Sequence, residues 1–92
     1  MTDRTYRVLL VDDHPVVREG LRGMVETADD LMVVGEAGSG AEAVALAAAL
    51  RPDVILMDLR MPDGDGVTTT RRILADLPDT RIVVVTTYES DA

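Results

Sequence analysis

Val8-Leu9-Leu10-Val11-Asp12-Asp13-His14-Pro15 is the stretch that decides the fold. Four apolar residues run straight into two acids. The proline that follows can open a helix, because its missing N–H is not needed in the first turn. A second segment repeats the pattern, with Val54-Ile55-Leu56-Met57 running into Asp58. Apolar runs this short, each followed by a helical pattern, read as parallel strands buried on both faces. If the two strands are neighbours, three carboxylates gather at one edge of a sheet. Carboxylates that close repel unless a cation joins them or a proton neutralises one. The arrangement suggests a divalent-metal site, and a metal site beside a spare carboxylate suggests phosphate chemistry.

Outward from these runs the chain alternates strand and helix. The first strand covers about Arg7–Val11. Pro15 opens a helix with Val17, Leu21, Met24, Val25 and Ala28 at helical spacing, ended by Asp29-Asp30. Met32-Val33-Val34 forms a second strand and Gly38-Ser39-Gly40 a turn. Ser39 and Glu42 make a capping box for an Ala-rich helix, Gly40–Leu50, closed by Arg51-Pro52-Asp53. After the third strand, Val54–Met57, the segment Pro62-Asp63-Gly64-Asp65-Gly66 reads as a loop. Val67, Ile73, Leu74 and Leu77 mark a third helix, stopped near Pro78-Asp79. Ile82–Val85 forms a fourth strand, ending at Thr86-Thr87-Tyr88. The alternation implies an α/β fold: a parallel sheet with right-handed crossovers and helices on both faces. Ligands of such sheets bind beyond the carboxyl ends of the strands, where the winding reverses. Asp13, Asp58 and Thr86 all fall at carboxyl ends.

Composition narrows the function. With 92 residues, 47% hydrophobic and only 2 Tyr as aromatics, the chain makes one small domain with an aliphatic core. Seventeen acids against nine basic residues, all Arg, give a net charge of −8 and argue against direct nucleic-acid contact. With no Cys, disulfides and thiolate metal sites are excluded. No apolar run is long enough for a membrane span, and Met1-Thr2-Asp3-Arg4 lacks a signal-peptide pattern, so a cytoplasmic location is expected.

Three segments carry a resemblance: Val11-Asp12-Asp13-His14-Pro15, Met57-Asp58-Leu59-Arg60-Met61-Pro62 with Asp65-Gly66, and Val85-Thr86-Thr87. Together they resemble the receiver domain of two-component response regulators, over essentially the whole chain. Asp-Asp-His-Pro and Thr-Thr-Tyr are similar to the NarL/FixJ branch, whose members usually carry a helix-turn-helix (LuxR-type) output domain. The resemblance implies a flavodoxin-like (CheY-like) parallel sheet in which strands 1 and 3 are neighbours, giving the order 2-1-3-4 here. It implies that Asp58 is the phosphoacceptor and that a sensor histidine kinase donates the phosphoryl group. It implies Mg2+ held by Asp13, Asp58 and the backbone carbonyl of Arg60, with Asp12 holding a metal-bound water. It implies that Thr86 hydrogen-bonds the phosphoryl oxygens. Such a module is an acceptor, not an enzyme, beyond self-phosphorylation and self-dephosphorylation. The chemistry is coherent, because a carboxylate is a competent nucleophile and Mg2+ suits hard oxygen ligands.

Plainer readings stand beside these. Asp13 could cap the helix opened by Pro15, and Asp58 could start a turn. Neither explains three acids together. Thr86 and Thr87 face opposite sides if both are strand residues, so at most one points into the site. Asp53 reads as a solvated turn residue. His14 is the only histidine, and without a second His or Cys it reads as a loop residue near the pocket, not a ligand. Asp63-Gly64-Asp65 superficially matches the start of Asp-x-Asp phosphatases, but Leu59-Arg60-Met61-Pro62 separates it from the apolar strand.

The family domain continues through a further helix, a fifth strand with a functional lysine, and a last helix. This chain stops at Ala92 and contains no Lys. Residues 1–92 are therefore expected to form a receiver that is incomplete at its C-terminal side, without its last strand, the flanking helices or an output domain. Ile82–Val85 would then be an exposed apolar edge, which invites a homodimer by edge pairing or exchange. An interaction or dimerisation module that keeps the fold without being phosphorylated is the alternative.

Overall fold

The apolar runs become strands in a computed structural model that describes residues 4–58, 60–61 and 64–85. In chain order the elements are β1 (Tyr6–Val11), α1 (Pro15–Glu26), β2 (Leu31–Ala37), α2 (Gly40–Leu50), β3 (Val54–Met57), β4 (Arg60–Met61), β5 (Gly64–Asp65), α3 (Gly66–Asp76) and β6 (Arg81–Val84). The main sheet is parallel with order β2-β1-β3-β6, which is the expected 2-1-3-4 arrangement. The chain steps from β1 to β2 on one side, then crosses to β3 on the other. The crevice where the winding reverses therefore opens between β1 and β3.

Alternation along β1 splits the core in two. Leu9 and Val11 pack with Ile55 and Met57 of β3, Ala43 and Ala47 of α2, and Ile73 of α3. Val8 and Leu10 face the other way, against Val25 and Leu21 of α1. All four β1 residues are at most 1% exposed, which is why the strand reads as an unbroken apolar run. Burying each such side chain is worth about 1.5–3 kcal/mol. The register runs from Val8↔Val54 to Val11↔Met57, so both strands end level.

Several expectations need correction. β2 runs on to Ala37 instead of ending at Val34. Its register against β1 shifts between Val8 and Leu9, leaving Val34 as the extra residue of a bulge. Gly35 hides the continuation because it carries no apolar signal. A Cβ there would lie 2.8 Å from Leu50 Cδ1, so a larger residue would have to displace the Leu50 side chain of α2. Gly64-Asp65, inside the segment read as a loop, pairs with Arg60-Met61 as a short antiparallel ladder. Two-residue strands are too short for a periodic signal. Of the α1 residues read at helical spacing, Val25 is buried, whereas Met24 is 70% exposed. On α3 the buried positions are Gly66, Thr69 and Ile73, while Val67 and Leu74 face outward. Small residues suit that face because α3 packs against Ala-rich α2.

The capping box at α2 forms with one change of partner. Ser39 Oγ accepts from Glu42 N at 3.1 Å, but Glu42 Oε1 reaches back to Gly38 N at 2.6 Å. Among the described residues β6 is an edge strand, with Val83 and Val84 nearly half exposed. No helix among the described residues is long and apolar enough to cross a membrane.

Candidate functional site

The strand ladders continue one residue past β1 and β3, and this is what fixes the acids. Asp12 N donates to Ala37 O at 3.0 Å, and Asp58 N donates to Val11 O at 2.9 Å. The backbone thus holds Asp12 and Asp58 side by side. Asp12 is 2% and Asp58 3% exposed, although both are acids. One ligand atom from each of Asp12, Asp13, His14 and Asp58 lies within 4.8 Å of the others. The three aspartates singled out in the sequence are therefore brought together, with the histidine among them.

Local hydrogen bonds shape the cluster. Asp12 Oδ1 accepts from His14 N at 2.8 Å, a turn that aspartate forms readily. The same oxygen lies 3.1 Å from His14 Nδ1. Asp13 Oδ1 is 2.9 Å from that nitrogen, within ion-pair range, but the hydrogen bond goes to Asp12. Asp13 Oδ1 is thus a buried oxygen with no hydrogen-bond partner. The Asp12 hydrogen bond, reinforced by the charges of Asp13 and Asp58, raises the His14 pKa above its ordinary value. Residue 14 is also the N-cap of α1, and no side chain caps the helix there. The capping alternative for Asp13 therefore does not hold.

Arg18 was not anticipated. Its Nη1 donates to Asp12 O at 2.7 Å, bracing the loop from one turn inside α1. Its Nε pairs with Glu36 Oε1 at 3.3 Å, and Arg22 takes Glu36 Oε2 at 3.2 Å. Glu36 thus draws both guanidinium charges toward β2. Among the described residues, the ion pairs of Asp12 and Asp13 are made with His14. A hard-oxygen donor set with an unsatisfied buried oxygen fits a divalent cation. Arg60 lies in β4, just past Asp58, and Thr86 lies outside the described residues.

The opposite edge of the sheet holds a different aspartate. Asp53 is a tie between strands, not a solvated turn residue. Its Oδ2 accepts from Arg7 N at 2.8 Å and its Oδ1 from Arg4 Nη2 at 3.0 Å. Its own N donates to Arg7 O, and its O accepts from Arg81 N. The Arg7 amide, helped by Arg4, holds its pKa below the usual carboxylate range. Clefts of about 200 and 600 Å³ open at this edge, sharing Asp53 and Asp79. Their acid Asp53 is already partnered, and these clefts lie at the opposite end of the sheet from the aspartate cluster.

Comparison with known proteins agrees with this geometry. Residues 8–92 match the family described as the response regulator receiver domain. The DNA-binding transcriptional activator DevR/DosR of Mycobacterium tuberculosis is 51% identical over 85 residues, which cover 92% of this chain and 39% of that protein. The transcriptional regulatory protein LiaR of Bacillus subtilis is 49% identical, with 92% of this chain and 40% of that protein covered. A LuxR-family two-component response regulator from Aurantimonas superposes with a TM-score of 0.87 at 40% identity, covering 94% of this chain and 61% of that one. The response regulator domain of Thermotoga maritima CheB gives 0.84 at 36% identity, over 96% and 65%. The chain spans about two fifths of the length of these curated relatives.

Proposed function

This chain belongs to the response regulator receiver domain family, and from that premise we propose that it accepts a phosphoryl group on Asp58 in a Mg2+-dependent reaction. The observation that carries the proposal is the convergence of Asp12, Asp13 and Asp58 at the ends of two adjacent strands, with Asp13 Oδ1 buried and without a hydrogen-bond partner. Asp13, Asp58 and the backbone carbonyl of Arg60 would hold the ion, with Asp12 acting through a water. When bound, Mg2+ offsets the repulsion between a carboxylate nucleophile and an anionic phosphoryl group.

The chain's own residues do the rest. The Asp58 carboxylate bonds to phosphorus as the bond to the donor breaks, giving an acyl phosphate. Its backbone N–H, fixed on Val11 O, keeps the nucleophile in place. The Thr86 hydroxyl donates a hydrogen bond to the new phosphoryl oxygens. The proposed donor is a sensor histidine kinase. The proposed read-out is a DNA-binding output domain, of the kind that the name of DevR/DosR describes, with residues 1–92 in the receiver role. The test is treatment with a small phosphodonor and Mg2+, with mass measured on the intact chain. The expected gain is about 80 Da, that of one phosphoryl group, and it is absent in Asp58→Asn. Full labelling of Asp58→Asn overturns the assignment.

One observation favours a second role. Val83 at 48% and Val84 at 46% exposure leave β6 an apolar edge that suits pairing with a second copy. Sedimentation equilibrium checks it, and a stable, dilutable monomer contradicts it. A dimer that takes no label would favour the non-phosphorylated interaction module.

A further inference from the structure

We propose that His14 is a further donor to the Asp12–Asp13–Asp58 site, and that it tilts the site toward first-row divalent transition ions over Mg2+. This rests on the reading of the aspartates as a cation site, and adds a nitrogen to it.

The backbone puts the ring there. Pro15 disfavours helical geometry at the residue before it, and His14 is extended, with φ −103° and ψ 111°. An extended N-cap residue usually turns its side chain to the free N–H groups of the helix. His14 makes no such bond, and its ring lies over the carboxylates. Its Nδ1 is 3.1 Å from Asp12 Oδ1 and 2.9 Å from Asp13 Oδ1. Neighbouring donors on one six-coordinate ion, each bonded at about 2.1 Å, stand about 3.0 Å apart. Nδ1 and Asp13 Oδ1 therefore already have the spacing of two donors that share an ion, while Asp12 holds the ring from beside them.

The chemistry agrees with the spacing. Nδ1 can surrender its hydrogen while Nε2 carries one, since neutral imidazole exists in both forms. The side chain is 63% exposed, so small adjustments of the ring meet little resistance. Asp13 Oδ1, buried and without a hydrogen-bond partner, is the second donor that points to an ion. Carboxylates alone suit Mg2+ and Mn2+, whereas imidazole is a ligand of choice for later first-row ions. A mixed site needs only one nitrogen. The absence of a second His or Cys, which made the sequence alone speak against His14, excludes an all-nitrogen or thiolate site and leaves this one open.

The sole histidine also makes the test clean, because any imidazole signal reports His14. Co2+ and Mg2+ are titrated calorimetrically into the untagged chain, His14→Ala and Asp13→Asn, and pulsed EPR is recorded on the Mn2+ forms. The expected result is Co2+ affinity weakened about tenfold or more in His14→Ala, a range typical of lost metal-site partners. Mg2+ affinity is unchanged or stronger in that variant, which also shows that it folds. Nitrogen modulation from a coordinated imidazole is present in the parent and absent in His14→Ala. Equal Co2+ affinity in the two chains, or no nitrogen modulation in the parent, overturns the proposal. If Mg2+ binding is meanwhile lost in Asp13→Asn, the aspartate site stands without His14. If the parent binds neither ion, both readings fall.

Discussion

At the amino edge of the sheet, one aspartate is met by two arginines; at the carboxyl edge, three aspartates converge on one histidine. The two edges use the same residue type for opposite ends. Asp53 has both oxygens hydrogen-bonded, and its backbone stitches β1, β3 and β6 together. Arg7 completes that edge by donating to the last carbonyl of α2, at Leu50, and to that of the following residue, Arg51. Asp12, Asp13 and Asp58 crowd together, and the arginines that could serve them are held by Glu36. One edge has settled its charges and contributes stability. The other keeps them unsettled, as functional sites commonly do.

The sharpest break between the edges is chemical. Asp58→Asn loses all phosphoryl labelling, whereas Asp53→Asn keeps it, as intact mass will show. Next in size is the response to cation. A ligand at about 100 times its Kd stabilises the native state by about 2.7 kcal/mol. Mg2+ at that excess should raise the urea midpoint of the parent and of Asp53→Asn, and leave Asp13→Asn unmoved. Without cation the signs should invert. Asp53→Ala leaves the Arg7 amide without its acceptor and costs about 1–3 kcal/mol, while Asp13→Asn relieves repulsion and is neutral or stabilising.

Acid titration sharpens the contrast further. Asp53 has a lowered pKa when folded, so the unfolded chain binds the proton more readily. Its contribution is complete above the ordinary value of about 3.9 and is lost as pH falls through the folded value. Asp53→Asn should flatten the acid limb of stability against pH. His14 has a raised pKa, so its contribution is complete below about 6.5 and is lost as pH rises through the folded value. His14→Ala should flatten that limb instead. The smallest effect belongs to Arg4→Gln. Arg4 is 61% exposed, and its pair with Asp53 is worth about 0–1 kcal/mol, with a modest addition from its contact 4.8 Å above the Tyr6 ring.

The carboxyl edge was legible in the sequence because burial on both faces writes β1 and β3 as unbroken apolar runs. An acid that ends such a run stands out. The amino edge was illegible, because Asp53 sits between Pro52 and a strand, where solvated turns look the same. Its partners Arg4 and Arg7 are more than forty residues away and join it only through the sheet. Gly35 and Glu36 hid the second half of β2, since bulge and ion pair both depend on tertiary neighbours. His14 could be placed beside the acids but not turned toward them. Local sequence sets its backbone through Pro15, whereas the direction of its ring is set by the carboxylates.

The sheet order has a consequence for how the molecule comes apart. Both strands that carry the aspartates are interior, flanked by β2 on one side and β6 on the other. Local opening begins where few contacts hold, and an edge strand with half-exposed valines qualifies. Amide exchange should therefore run as a gradient, fastest in β6 and slowest in β1 and β3. The carboxylate cluster would outlast the fraying of its own border, and a partly opened molecule would still present it whole.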